Sequence, residues 1–464
     1  MTTVDTAYPP RLADGIELLG ELKDSGFAQP QSLVRRADGQ VIQLSRLLYM
    51  VACLLDGTRG ADDIAAAVSA DLGRTLTAEQ VRYLITAKLA PLGIVAGQGA
   101  PAPPTASPLL ALRARVTLLP ETAACAAGTF LRPLFRLPVI AAVIVSVAAL
   151  DFWIFTTHGL GPAVSQLLND PVDLLVVAGL SVVSALFHEC GHAAGCRYGG
   201  ARPGRIGAGL YLVWPSFFTN VTDSYRLSRA GRLRTDLGGL YFNMIFMLVL
   251  AACYAATRAE ILLLVIAVTH LEMLEQLLPF VRFDGYFILS DLVGVPDLFN
   301  RVAPVLRGFL SRWPVGSKRR GGSRWRSDPR ATGLRRGARI VITVWVLCVV
   351  PLLALILGYL VLHLPEINRA LWQSATHAAR LGGGALAGHR YAAAAADGIG
   401  LALALLSIAG SLYVVWGLLR RAVAFGRRWS AGRPRRLLLA LLVGVACAGP
   451  LSVIWLVQGQ FSDW

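Results

Sequence analysis

A pair of histidines ends an apolar run in the segment Val182-Val183-Ser184-Ala185-Leu186-Phe187-His188-Glu189-Cys190-Gly191-His192-Ala193-Ala194. Residues four apart lie on one face of an α-helix, so His188 and His192 can direct their imidazoles at one metal ion. Glu189 lies one position further round, where it can serve as the base for a water that zinc activates. The apolar residues before the motif indicate that its helix enters a bilayer. A chance match is the alternative, because one short motif is not specific.

The composition is that of a membrane protein with several spans. Of the 464 residues, 55% are hydrophobic and 16% are charged, and the mean hydropathy is +0.57. Residues 1–14 lack the apolar core of a signal peptide, so we expect them to be disordered and the N-terminus to stay in the cytoplasm. The net charge is +16, but the arginines lie mainly between apolar runs. That placement is typical of cytoplasmic loops and argues against nucleic-acid binding.

Seven apolar runs have the length of a membrane-spanning helix, which needs about 20 residues. They are 139–157, 172–196, 237–256, 260–279, 339–363, 395–418 and 437–457. The positive charge alternates between the loops: 158–171 has no Lys or Arg, whereas 197–234 has seven Arg, 301–339 has twelve Lys and Arg, and 420–436 has seven Arg. The positive-inside rule then predicts seven spans, with the N-terminus in the cytoplasm and the C-terminus outside.

This topology brings one carboxylate to the depth of the two histidines. The second and fourth runs both go inward, and the fourth ends at Pro279, shortly before Asp284. Asp284 followed by Gly285 can be a common turn, or Asp284 can be the third ligand, through an oxygen. Glu275 is the alternative third ligand, because it also approaches the cytoplasmic end. Asn243, in the third run, can either hydrogen-bond a substrate backbone or pack between helices.

Residues 15–97 have the pattern of a small soluble α+β domain. Two short strands are predicted on either side of Asp38-Gly39, which is a hairpin signal. Three helices follow with apolar residues at helical spacing, and Ser45 can cap the first while Thr77 begins a capping box at the third. This order predicts a winged-helix-like unit. Residues 17–88 hold eight Lys and Arg against nine Asp and Glu, so they lack a phosphate-binding surface.

The same domain is similar to a known peptide-binding module. Three segments carry the similarity: Leu33-Val34-Arg35-Arg36-Ala37-Asp38-Gly39-Gln40-Val41-Ile42-Gln43-Leu44-Ser45, Leu54-Leu55-Asp56-Gly57-Thr58 and Asp62-Asp63-Ile64. They resemble the PqqD-like domains of enzymes that mature ribosomally made peptides. The resemblance implies that a leader peptide adds as an extra strand at the sheet edge. The alternative is a structural cap on a membrane protein. A Pro-rich linker, 98–112, follows the domain.

The membrane core, 113–300, resembles a family of proteases. Three motifs carry the resemblance: His188-Glu189-Cys190-Gly191-His192, Gly238-Gly239-Leu240-Tyr241-Phe242-Asn243 and Phe283-Asp284-Gly285-Tyr286-Phe287-Ile288-Leu289-Ser290-Asp291. In this order and placement they resemble the site-2 protease family of intramembrane zinc metalloproteases, and within it the peptide zinc metalloproteases. The resemblance implies one Zn²⁺ per chain, held by His188, His192 and Asp284, with Glu189 as catalytic base. Many relatives carry Asn before the Pro ahead of Asp-Gly, where this chain has Glu275-Gln276-Leu277-Leu278-Pro279, and this difference affects the substrate cleft.

The sequence therefore predicts a mainly α-helical polytopic membrane protein with about seven spans and a small N-terminal winged-helix-like domain. We expect 301–338 to be a basic cytoplasmic loop near anionic lipid and 339–464 to hold three further spans. The leading hypothesis is a zinc endopeptidase of the cell membrane that cuts near the cytoplasmic face. It would remove the leader from a modified, ribosomally made peptide precursor bound by the cytoplasmic N-terminal domain. The alternatives are a protease that cuts a membrane-anchored signalling protein and a peptide-binding scaffold or export component that does not cleave.

Overall fold

The chain folds into a mainly helical molecule with two small sheets. The computed structural model describes residues 9–37, 41–96, 113–169, 172–211, 214–310 and 333–430. Among these residues, five helices are long and apolar enough to cross a membrane. They are Leu137–His158, Asp173–Tyr198, Gly238–Thr257, Arg336–Leu362 and Tyr391–Arg421. The length and composition of these helices fit a membrane protein with several spans.

The N-terminal domain contains a three-stranded antiparallel sheet followed by three helices. The strands are β1 (Glu17–Glu21), β2 (Gln31–Arg35) and β3 (Val41–Ser45), in the order β1-β2-β3. The helices are α1 (Arg46–Cys53), α2 (Ala61–Leu72) and α3 (Ala78–Tyr83). Their apolar faces close around one core that includes Val34, Leu44, Val51, Ile64 and Val81. The winged-helix topology of this domain stays a prediction.

Local sequence explains where these helices begin. The Ser45 hydroxyl accepts a hydrogen bond from the Leu48 amide, and Thr77 and Gln80 form the predicted capping box. These side chains satisfy amides that no carbonyl of the helix can reach. The predicted pairing of β2 with β3 is confirmed, whereas the turn at 38–40 lies outside the described residues.

The domain is larger than the sequence predicts at its start. β1 is an additional strand, paired antiparallel with β2. The Leu12 amide donates to the Leu55 carbonyl and the Ala13 amide donates to the Ile94 carbonyl. The structured unit therefore begins before residue 15, and the disorder expected for 1–14 does not extend to these residues.

Twelve further helices are found in the described residues after the domain. They are α4 (Glu121–Leu131), α5 (Leu137–Phe152, continued by a π-helical turn to His158), α6 (Gly161–Asn169), α7 (Asp173–Tyr198), α8 (Arg229–Asp236), α9 (Gly238–Thr257), α10 (Ile261–Leu277), α11 (Asp284–Val293), α12 (Val302–Leu310), α13 (Arg336–Leu362), α14 (Leu364–Ala387) and α15 (Tyr391–Ser430). α7, α9 and α10 pack on one another and form the centre of the molecule.

The structure differs from the predicted spans at two helices. The fourth run is α10, whose 17 residues are fewer than the roughly 20 that cross a bilayer without thinning it. α14 has 24 residues in a segment where the sequence predicts no helix, and it packs antiparallel against α15, with a 2.9 Å hydrogen bond from Ser411 to Asn368. The seventh run, 437–457, lies outside the described residues. The count of seven spans stays a prediction.

A second antiparallel sheet lies beside α7. Its strands are β4 (Arg113–Leu119), β5 (Ile206–Tyr211) and β6 (Trp214–Thr219), in the order β4-β5-β6. The aromatic residues between Arg-rich ends in 199–231 are typical of a membrane-associated hairpin, and β5 and β6 form a hairpin there. β4 comes from the chain before the first span and is not predicted. β6 is an edge strand of this sheet, and it packs against α7.

The N-terminal domain shares a buried core with the membrane region. Phe27 packs in one apolar cluster with Tyr286 of α11 and Trp345 of α13. The Gly26 amide donates to the Gly294 carbonyl at 2.8 Å, just after the end of α11. The sequence predicts that a linker separates the N-terminal domain from the membrane region. In the structure the domain instead packs against the helices that carry the site described below.

Arg232 of α8 lies at the centre of this junction. It is fully buried, and its guanidinium donates to Asp291 of α11 at 2.8 Å and to the carbonyl of Lys23 at 3.1 Å. Burial raises the pKa of both Asp236 and Asp291 above their usual values; the Asp291 carboxylate raises that of Asp236 further, whereas Arg232 opposes the rise at Asp291. Arg232 therefore joins the N-terminal domain, α8 and α11 through one cation.

Removing this cation is expected to destabilise the protein far more than removing an exposed one. Arg232→Ala leaves Asp291 charged, buried and unpaired, which costs about 3–5 kcal/mol. Arg226→Ala removes an exposed arginine that contacts Glu17, a change worth about 1 kcal/mol or less. The apparent melting temperature of the full chain in detergent measures both. Equal shifts in the two variants would contradict the role of Arg232.

Candidate metal centre

Two histidines of α7 form the first part of the centre. His188 and His192 are both buried, and their Nε2 atoms are 3.1 Å apart. One helical turn separates them, as the sequence predicts. Small residues follow on the same helix, and Ala193 and Ala194 are fully inaccessible, so neighbouring elements pack directly on this end of α7. Both imidazoles are therefore held in protein, away from lipid and bulk water.

Asp284 completes a group of three ligand atoms. It is the first residue of α11, and its Oδ2 lies 3.0 Å from His188 Nε2 and 3.4 Å from His192 Nε2. Burial alone would raise the pKa of Asp284, but the two histidines lower it below its usual value, so the carboxylate is ionised, as a ligand must be. The positive end of the helix dipole at the start of α11 favours the same charge.

The geometry of the three atoms fits a zinc ion. Zinc takes imidazole nitrogen and carboxylate oxygen at about 2.0–2.2 Å in a tetrahedron, which sets neighbouring ligand atoms roughly 3.3–3.6 Å apart. The separations here are 3.0, 3.1 and 3.4 Å, close to that spacing. Small adjustments of the side chains would open the triangle around one ion. Among the described residues, this group supplies three ligand atoms, one fewer than a tetrahedral ion takes.

A glycine makes the approach of α11 to the end of α10 possible. A Cβ atom on Gly285 would lie 2.0 Å from the carbonyl oxygen of Leu277, a distance that no side chain tolerates. The Asp-Gly pair is therefore more than a turn signal here. Gly285 lets the first turn of α11 pack on the chain before it, which carries Asp284 to the histidines.

His192 is oriented by a backbone carbonyl. Its Nδ1 lies 2.8 Å from the carbonyl oxygen of Thr235 in α8, so Nδ1 carries the proton and Nε2 presents its lone pair to the metal position. A main-chain acceptor leaves no side-chain pattern in the sequence, and this contact could not be predicted. The same α8 carries Arg232, which links it to α11.

Glu189 lies beside the metal position and contacts the second sheet. Its side chain is buried, and the hydroxyl of Thr219 is 2.6 Å from its Oε2. Thr219 is the last residue of β6, so the carboxylate sits where the edge strand meets α7. Sequence reasoning did not single out Thr219, because a threonine at the end of a hairpin carries no distinctive signal.

Gly239 of α9 makes room for His188. A Cβ atom there would lie 2.3 Å from His188 Nε2, so any other residue would displace the imidazole. Asn243 is one turn further along α9 and is buried, on the face that Gly239 presents to His188. Glu275 is exposed on α10 and lies outside the group formed by His188, His192 and Asp284.

Comparison with known proteins gives one distant relative. Over 125 residues the chain is 26% identical to a Bacillus subtilis (strain 168) protein named "Putative peptide zinc metalloprotease protein YydH". The match spans 26% of this chain and 50% of the relative, so this chain covers about half of that protein's length. No protein-family model and no solved structure matches the chain.

Proposed function

We propose that the chain is a membrane-embedded zinc metalloendopeptidase. The observation that carries this proposal is the triangle of His188, His192 and Asp284, with Glu189 next to the first of them. Catalytic zinc sites use three protein ligands and keep one position open, whereas structural sites use four. Three ligands are offered by the described residues of this group. The distant similarity to a protein named as a peptide zinc metalloprotease supports the same class.

The residues of the centre divide the chemistry of hydrolysis between them. His188, His192 and Asp284 would hold the zinc ion, which would supply a Lewis acid for a peptide carbonyl and for the attacking water. Glu189 takes the proton of the attacking water and passes it to the amine that leaves, so that one peptide bond breaks and one water is consumed. Thr219 holds the Glu189 carboxylate at 2.6 Å, which keeps the base in one rotamer between turnovers. Hydrolysis also requires a water path to the buried centre.

The substrate in this proposal is a leader-bearing peptide precursor. The N-terminal domain resembles PqqD-like modules, and its sheet has an edge strand, β3, to which an extended leader can add. Contacts support delivery from this domain to the centre. Glu17 of β1 pairs with Arg226 at 2.7 Å, and Arg226 ends the 3₁₀ turn Thr222–Arg226, a few residues after Thr219. The β1 edge of the sheet, opposite β3, thus contacts the turn that follows β6.

The proposal includes a location. The charge of the loops favours an N-terminal domain in the cytoplasm and a centre near the cytoplasmic face of the cell membrane. The contacts of Phe27 and Arg232 with the membrane region support this arrangement, because they require the domain and α11 to lie on one side.

One observation favours a second substrate class, a membrane-anchored protein. Leu271 and Leu274 of α10 are 66% and 60% exposed, close to the end of the helix that precedes Asp284. An apolar surface at this position can receive a substrate helix from the lipid. The regulatory protease of the second hypothesis would use this surface, whereas leader removal would depend on the N-terminal domain.

The full chain purified in detergent is expected to bind about one zinc ion. His188→Ala, His192→Ala and Asp284→Asn each remove a ligand and should lose the bound metal. His270→Ala is the matched control, because this histidine pairs with Asp151 at 3.1 Å instead. Elemental analysis of the dialysed proteins gives the zinc content. A parent protein without stoichiometric zinc would contradict the metal centre.

Glu189→Gln is expected to keep zinc and lose cleavage. The amide has the shape of the carboxylate but cannot accept the proton of water, so the rate should fall by about 10²–10⁴-fold. Cleavage of a library of extended synthetic peptides, read by mass spectrometry, measures the rate. Glu275→Gln, at the exposed carboxylate of α10, should cleave like the parent. Unchanged cleavage by the Glu189 variant would contradict the role of Glu189 as the base.

Leader dependence separates the two substrate classes. A short precursor encoded beside this chain should be cut at one site, and the same precursor without its leader should be cut at least about tenfold more slowly, the loss expected when roughly 1.4 kcal/mol of docking is removed. Deleting the N-terminal domain is unsuitable as a test, because Phe27 and its neighbours belong to the core of the enzyme. Equal cleavage of both precursors would favour the membrane-anchored substrate.

A further inference from the structure

His188 lacks the support that His192 receives. A histidine that binds a metal almost always donates its other ring N–H to an acceptor, which fixes the tautomer and the ring orientation. His192 donates to the Thr235 carbonyl at 2.8 Å. His188 Nδ1 is also buried, yet no described residue is within hydrogen-bonding geometry of it. The His188 ring packs at the crossing of α7 and α9, so an acceptor for this N–H has to lie at that crossing.

The contacts of the two helices identify what lies there. His188 rests against Gly239, and the rings of Phe187 and Phe242 are 4.8 Å apart. The helices run antiparallel, so one turn along each from the contact of His188 with Gly239 leads to Ser184 on α7. The same step leads to Asn243 on α9. Those two residues therefore face each other beside the His188 ring.

Both residues carry polar atoms that are buried without a partner. Ser184 is 0% exposed and Asn243 is 2% exposed, and neither the Ser184 hydroxyl nor Asn243 Oδ1 has a hydrogen bond with the described residues. A buried polar atom without a partner destabilises the folded protein. Three such atoms, counting His188 Nδ1, share one helix crossing. One water bound among them would satisfy all three.

The direction of the side chains favours His188 as the partner of Asn243. A side chain on a helix leans toward the helix N-terminus. Asn243 therefore leans back toward Gly239, against which the His188 ring packs. Its amide oxygen is a suitable acceptor for a ring N–H, either of the ring itself or of a water that the ring contacts.

We propose that Asn243 is a positioning residue for the metal ligand His188. Its carboxamide oxygen accepts a hydrogen bond from one water that takes the Nδ1–H of His188 and also contacts Ser184, and so holds the Nε2 lone pair toward the metal. This inference rests on the proposed zinc centre. The competing role is helix packing, in which Asn243 bonds only to Ser184 and holds α7 against α9.

Zinc affinity of the full chain distinguishes the two roles. The experiment measures zinc binding in detergent by competition with a chromophoric chelator, and records the visible spectrum of the Co²⁺-substituted protein. Asn243→Leu removes the acceptor and should weaken zinc binding about 10–100-fold, the usual effect of losing such a partner. Asn243→Asp keeps an acceptor oxygen and should retain most of the affinity. The Co²⁺ spectrum should change in the leucine variant alone.

Thr269→Val is the matched control. Thr269 is also fully buried in a membrane helix, but its hydroxyl donates to the Val265 carbonyl of its own helix at 2.8 Å. Its loss should lower the melting temperature of the metal-free protein without changing zinc affinity. The same pattern in Asn243→Leu, or equally weak zinc binding by the leucine and aspartate variants, would overturn the proposal. If the parent protein binds zinc but cleaves no peptide, the proposed peptidase activity is wrong. The zinc affinities of the variants still test the role of Asn243 in that case.

Discussion

Ionisable groups inside an apolar helix bundle are stable only when each has a partner, and this constraint organises the centre of the molecule. Asp284 lies against two imidazoles, His192 against a carbonyl of α8, and Glu189 against the hydroxyl of Thr219. Every one of these partners comes from a different element. The chemistry of the centre therefore depends on a tertiary arrangement that is complete before any substrate arrives. A zinc ion would replace the direct contacts of Asp284 with the histidines by stronger ones.

That arrangement requires unusually close contacts between backbones. Gly285 admits the carbonyl of Leu277, and Gly239 admits the ring of His188. In lipid there is little hydrophobic drive to hold helices together, so close packing of small residues supplies much of the attraction. The same glycines thus do two things. They allow α7 to approach α9 and α11 to approach α10, and they leave room for the side chains of His188 and Asp284.

The predictability of the centre follows from the range of the interactions involved. The spacing of His188 and His192 is local, and the alternating loop charge was enough to bring Asp284 to the same depth, so the sequence identified the three residues that the structure gathers. Thr219 and Thr235 act through contacts between distant elements, and a carbonyl has no sequence signature. β4 was missed because its partner strand lies beyond two long helices. α14 was missed because its amphipathic pattern lacks the continuous apolar run by which spans are recognised.

The junction at Phe27 and Arg232 has a consequence for how such a protein can evolve. A peptide-binding module on a flexible tether can be exchanged between enzymes, because it makes no fitted contact with the rest of the enzyme. Here the N-terminal domain and the helices that carry the candidate metal ligands close one core across their boundary, and a buried cation on α8 is shared between them. Replacing the domain would expose apolar surface on α11 and leave a charge without its neighbours. This domain is therefore expected to change by substitution within its own sequence, and not by exchange for another domain.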